Sequence, residues 1–182
     1  MSKKVILAHP AAGYLITAFW ESNVNKPDRF GLESWQLYCV GFVAASLPDV
    51  DMVYQLIFDP REVSHRLYWS HTPIYWLAIF LLVLSFLSFF GKKVHLYLAR
   101  FVSVQVFAHL VLDSVVGGLR WFFPWSAQRY GLVPSLPGPY AERHLRILFH
   151  WTFLFEVVII VAALCYFMQR QKRADEAIES SM

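Results

Sequence analysis

The sequence predicts an all-α protein: an integral membrane bundle of about five transmembrane helices, with a polar metal site at one membrane face. Three observations predict it. First, 57% of the 182 residues are hydrophobic and only 16% are charged, where a soluble domain carries about 25%. The mean hydropathy of +0.43 agrees. Second, two stretches are long enough to cross a bilayer unaided. Residues 73–90 hold 18 positions with no charge, and residues 147–168 hold 22 with a single acid, Glu156. About 20 apolar residues span a hydrocarbon core. Third, no barrel-type alternation of polar and apolar residues occurs, and only helices or closed barrels satisfy backbone groups in lipid.

The elements follow in order. "VILAHPAAGYLITAFW" (5–20) is short and interrupted by His9 and Pro10. With "MSKK" before it, it imitates a signal peptide, but "FWESNVNK" is a poor cleavage site, so an uncleaved first helix is expected. "SWQLYCVGFVAASL" (34–47) is a second short span. "PDVDM" follows at once and sets Asp49 and Asp51 at its exit. His65, Arg66 and His71 lie in the connection to the 73–90 span. "GKK" (91–93) then turns the chain into "LYLARFVSVQVFAHLVL" (96–112), which carries His109 and is followed by Asp113. The 147–168 span completes the set. Residues 1–170 read as one membrane-embedded domain and 171–182 as a polar, flexible tail. Cys39 and Cys165 lie inside spans and read as inert packing groups. A net charge of +3 gives no nucleic-acid signal.

Counting crossings sorts the polar residues. If the 34–47 helix ends on one face, the 73–90 helix leaves that face and the 96–112 helix returns to it. Running backwards, the first helix starts there. His9, Asp49, Asp51, His65, His71, His109 and Asp113 therefore share one face, and His95 lies on the other. His109 and Asp113 are four apart and share a helical face. Ionisable groups near a bilayer need partners, and mixed imidazole and carboxylate donors suit Zn²⁺, with Mn²⁺ or Fe²⁺ as alternatives. Glu156 should point into the bundle, either as a further metal ligand or a support for the ligands, or protonated and hydrogen-bonded. The short "GKK" and "RQKR" clusters set the far face in the cytoplasm by the positive-inside rule, while "MSKK" argues the reverse.

These motifs carry a resemblance. "LPDVD", "HR…SHT" and "HLVLDSVVGGLRWFFPW" together resemble the YdjM-like family of membrane-bound, predicted metal-dependent hydrolases. The family's second motif has four residues between its histidines; "HRLYWSH" has five, with Leu67 in place of a glycine. The resemblance implies that His9, Asp49, Asp51, His65, His71, His109 and Asp113 are metal ligands. More distantly, the order of residues is similar to zinc-dependent phospholipase C and single-strand nucleases, which implies two or three zinc ions and phosphoester cleavage. A divalent ion lowers the pKa of a water molecule from 15.7 toward about 7. Asp49 and Asp113 are the expected catalytic carboxylates. Arg66 either grips a phosphate or orients Asp49 or Asp51. The expected substrate is a lipid or another amphiphile of a bacterial inner membrane. A metal or proton transporter, and a non-catalytic protein with a structural metal, are the competing classes. The first needs polar groups at several depths, and the second needs a closed site of about four ligands.

Overall fold

The computed structural model describes residues 8–24, 27–58, 65–115, 118–132 and 151–180. Its helices are α1 (Ala8–Asn23), α2 (Ser34–Ser46), α3 (Val50–Phe58), α4 (Pro73–Phe90), α5 (Lys93–Val115) and α6 (Trp151–Glu179). A 3₁₀ turn over Leu47–Asp49 joins α2 to α3 with little interruption. Among the described residues, four stretches are long and apolar enough to cross a membrane: Ser34–Gln55, Pro73–Phe90, Lys93–Val115 and Phe153–Glu179. The 16 residues of α1 reach about 24 Å, less than the roughly 30 Å of a hydrocarbon core.

Local chemistry sets the helix ends. Pro10 lies in the first turn of α1 and Pro73 opens α4, where a missing N–H costs nothing. Pro48 withdraws an N–H at the end of α2, so the chain tightens into the 3₁₀ turn instead of running on. At the start of α2, the Glu33 N–H donates to Gln36 Oε1 at 2.8 Å, one half of a capping box. After α5, Gly118 takes φ +66°. A side chain there would also come within 3.0 Å of the Tyr130 backbone. Paired 2.9 Å hydrogen bonds between Leu119 and Tyr130 fold residues 118–132 back across the end of α5.

The bundle buries a band of polar side chains between apolar cores and leaves apolar faces outside. α5 touches α1, α2 and α4, and α6 lies against α1. Trp76, Phe80, Val106, Leu110 and Leu119 form one core between α4 and α5. Leu37, Tyr97 and Phe101 form another toward the opposite end. Between them Gln105 Nε2 donates to Gly13 O at 3.1 Å and Thr17 Oγ1 at 3.0 Å. Meanwhile Leu82 is 73% and Phe89 82% exposed. Such faces are tolerated in lipid, not in water. Residues 171–179, expected as a flexible tail, continue α6 as exposed helix. Good helix formers in "QKRADEAIE" extend a helix already nucleated in the span.

Candidate metal centre

Each site residue stands where an element begins or ends. His9 opens α1, Asp49 closes the turn after α2, His71 ends the 3₁₀ turn Trp69–His71 before α4, and His109 and Asp113 occupy the last turns of α5. The crossing count and the structure agree on this convergence. His95, in the first turn of α5, is displaced from His109 by about 21 Å along the helix at 1.5 Å per residue.

Two imidazoles are aimed by their outer nitrogens. His71 Nδ1 meets Asp51 Oδ2 at 2.7 Å, and Ser70 Oγ donates to the same oxygen at 2.5 Å. Trp76 Nε1 donates to Ser70 O at 2.7 Å and ties the turn to α4. His71 Nε2 is thereby turned inward, 3.4 Å from Asp49 Oδ1 and 3.2 Å from Asp113 Oδ2. His109 Nδ1 donates to Ala45 O at 2.6 Å, a carbonyl near the end of α2, where helix carbonyls lack helical partners. Its Nε2 lies 3.7 Å from Asp49 Oδ1 and 3.8 Å from Asp113 Oδ2. Arg66 Nη2 donates to Asp113 Oδ1. His9 stacks on His109 with ring centroids 4.0 Å apart, and its Nε2 is 3.7 Å from Asp113 Oδ1.

The donors fit a divalent cation. Among the described residues, two groups bring their ligand atoms within 4.8 Å of one another: His9, His109 and Asp113, and Asp49, His71 and His109. Tetrahedral zinc with bonds near 2.0–2.1 Å sets its donors about 3.3 Å apart; the four imidazole–carboxylate separations run from 3.2 to 3.8 Å. His109 Nε2 and both ring nitrogens of His9 are buried without a hydrogen-bond partner, which costs about 1–3 kcal/mol per group unless something binds there. Charge agrees: three carboxylates and one guanidinium leave a formal −2 around neutral imidazoles, which one divalent ion cancels. Burial pushes the His71 imidazole down, but Asp113, Asp49 and Asp51 outweigh burial and hold it at about 10. Without metal it is an imidazolium, a second cation beside these acids in addition to the Arg66 guanidinium.

Not every expected ligand joins the groups. Asp51 stands behind His71 and reaches the centre only through it. Arg66, expected to grip a phosphate or to orient Asp49 or Asp51, stands behind Asp113 instead, because the turn before α4 faces the end of α5. Glu156 is half-buried on α6 and belongs to neither group. His65 lies in the turn His65–Leu67, with its side chain outside the described residues. Sequence reasoning missed Ser70, Trp76 and the Ala45 carbonyl. Ser70 adjoins His71, but nothing local in the sequence marks a backbone oxygen as a histidine anchor.

A family model described as YdjM inner membrane protein matches residues 5–178. No curated protein and no solved structure matches the chain.

Proposed function

The chain belongs to the YdjM inner membrane protein family, and from that premise we propose that it is a membrane-bound, metal-dependent hydrolase acting on an ester of an amphiphilic substrate, a phosphoester before a carboxylic ester. The observation that carries the reading is that His71 Nε2 and His109 Nε2 each lie 3.2–3.8 Å from both Asp49 Oδ1 and Asp113 Oδ2. These residues would hold one ion tightly. His109 has a single inward nitrogen to give, so a second ion would rely on His9 and on Asp113 Oδ1 and bind more weakly. Zinc suits this mixture of nitrogen and oxygen donors best, and manganese is the alternative. When bound, such ions acidify water and polarise a phosphoryl or carbonyl oxygen.

The chain's own groups do the positioning. Asp51 and the Ala45 carbonyl hold the two imidazoles in the tautomer that presents Nε2. Arg66 holds Asp113. The buried walls exclude bulk water, while His9 and Asp49, 16% and 17% exposed, form the open side. A substrate enters there, at the depth where helices meet headgroups. A site with more candidate donors than the four of a closed structural centre favours chemistry over a purely structural ion.

The test is metal analysis together with release of headgroup or phosphate from a panel of bacterial lipids. Purified protein is expected to hold two divalent ions per chain, and turnover should cease with chelator. Asp113→Ala should remove most of the activity and His95→Ala almost none. Less than one ion per chain, or equal losses in the two variants, would overturn the reading.

A further inference from the structure

We infer that Arg66 is the anion-recognising residue of the centre and that it takes a phosphomonoester dianion; this rests on the hydrolase reading and names its substrate class. Arg66 is 4% exposed, yet only Nη2 has a partner, Asp113. Nε and Nη1 are buried with no acceptor among the described residues. A guanidinium keeps its charge and all five N–H donors at any physiological pH, and burying charged donors unmatched is costlier than burying neutral ones. Holding Asp113 uses one nitrogen; the other two find no acceptor among the described residues, and a bound anion would supply one. Their place is beside the reacting centre, because the carboxylate that Arg66 grips by Oδ1 sets its Oδ2 3.2 Å from His71 Nε2. Planar guanidinium donors match phosphate oxygens in geometry and charge.

Charge selects the class. Asp49, Asp51, Asp113 and Arg66 sum to −2, so two divalent ions leave +2. A phosphomonoester dianion cancels that, whereas a carboxylic ester carries no charge to offset it. In the hydrolysis, water oxygen bonds to phosphorus and the bond from phosphorus to the alkoxy oxygen breaks. One water proton leaves on the alcohol and the other stays on the released phosphate.

The experiment titrates inorganic phosphate into zinc-loaded, detergent-solubilised protein by calorimetry, with zinc content measured on the same samples, for wild type, Arg66→Gln and Arg66→Lys. Both variants are expected to keep zinc and to lose phosphate affinity about tenfold or more, the size of one charge-assisted hydrogen bond. Affinity within twofold of wild type would overturn the inference and leave Arg66 as a support for Asp113 alone. If the variants lose zinc, the Arg66 Nε–H resonance of the wild type decides: phosphate must shift it, and a stationary resonance overturns the inference. Wild type without zinc would instead overturn the hydrolase reading, and this inference with it. Dihexanoyl phosphatidate binding tighter than phosphate identifies a lipid headgroup as the source; equal affinities identify the free anion.

Discussion

Asp113 gives each of its oxygens a different task. Oδ1 meets Arg66 and His9, and Oδ2 meets His71 and His109. Asp51 never reaches the centre and acts through His71. The two aspartates should therefore fail differently. Asp113→Asn should abolish tight metal binding. Asp51→Asn should weaken it about 10–100-fold, the usual effect of removing a carboxylate behind a ligating histidine; competition against a zinc-responsive dye separates the two. Acidity gives a second prediction at this scale. With its folded value raised to about 10 above an unfolded value of about 6.5, His71 stabilises the metal-free fold fully below pH 6.5. That contribution is lost as pH rises from there through 10. The melting temperature of chelated protein should fall across this window. Metal must displace the His71 proton, so metal affinity should climb over the same range, and protons should be released on binding. A flat melting profile would show that His71 is not held as an imidazolium.

At the scale of elements, the centre depends on how closely α1 and α2 approach. A Cβ on Gly13 would lie 2.6 Å from the Ala45 Cβ, so only glycine allows this contact, as at other small-residue helix interfaces in membranes. Ala45 also supplies the carbonyl that aims His109. Gly13→Val should thus lower stability by about 1–3 kcal/mol, the cost of overpacking, and weaken metal binding although Gly13 touches no ligand. Thermal melts and dye competition on one preparation would show whether the two losses travel together. α6 makes a different point. Its 29 residues reach about 43 Å, well past a hydrocarbon core. Its last turns carry the Lys172–Glu176 pair at 3.8 Å, and Arg170 lies 3.2 Å from Glu21 on α1.

For the whole molecule, the centre ties together segments from α1, the α2–α3 turn, the start of α4 and the end of α5. Those segments are otherwise joined by lipid-compatible packing with no hydrophobic drive between helices. An ion held there should stabilise the bundle as a unit, by about 2.7 kcal/mol at a free concentration 100 times its dissociation constant. Chelation should lower the melting temperature in one cooperative step. The His95→Ala variant should melt and respond to chelator like wild type, because its site lies at the other end of α5.

Hydropathy and parity alone settled much of this protein. Apolar run lengths determine the helical membrane class, and counting crossings from one exit, Asp49, assigns His9, His71, His109 and Asp113 to one face from sequence order alone. Parity is a property of sequence order, so it survives errors of several residues in each helix end. It cannot resolve distances of a few ångströms. Asp49 and Asp51 look alike in "LPDVD"; only the Pro48 turn, which sends one inward and the other behind His71, separates a ligand position from a supporting one. From sequence, Arg66 is expected to orient Asp49 or Asp51 if it does not grip a phosphate, and the folded turn before α4 gives it to Asp113 instead. The Ala45 carbonyl carries no side-chain signal at all. These choices belong to tertiary structure because a hydrogen bond is decided within about 0.5 Å and a few tens of degrees, a scale fixed by packing and turn geometry and invisible in composition or spacing.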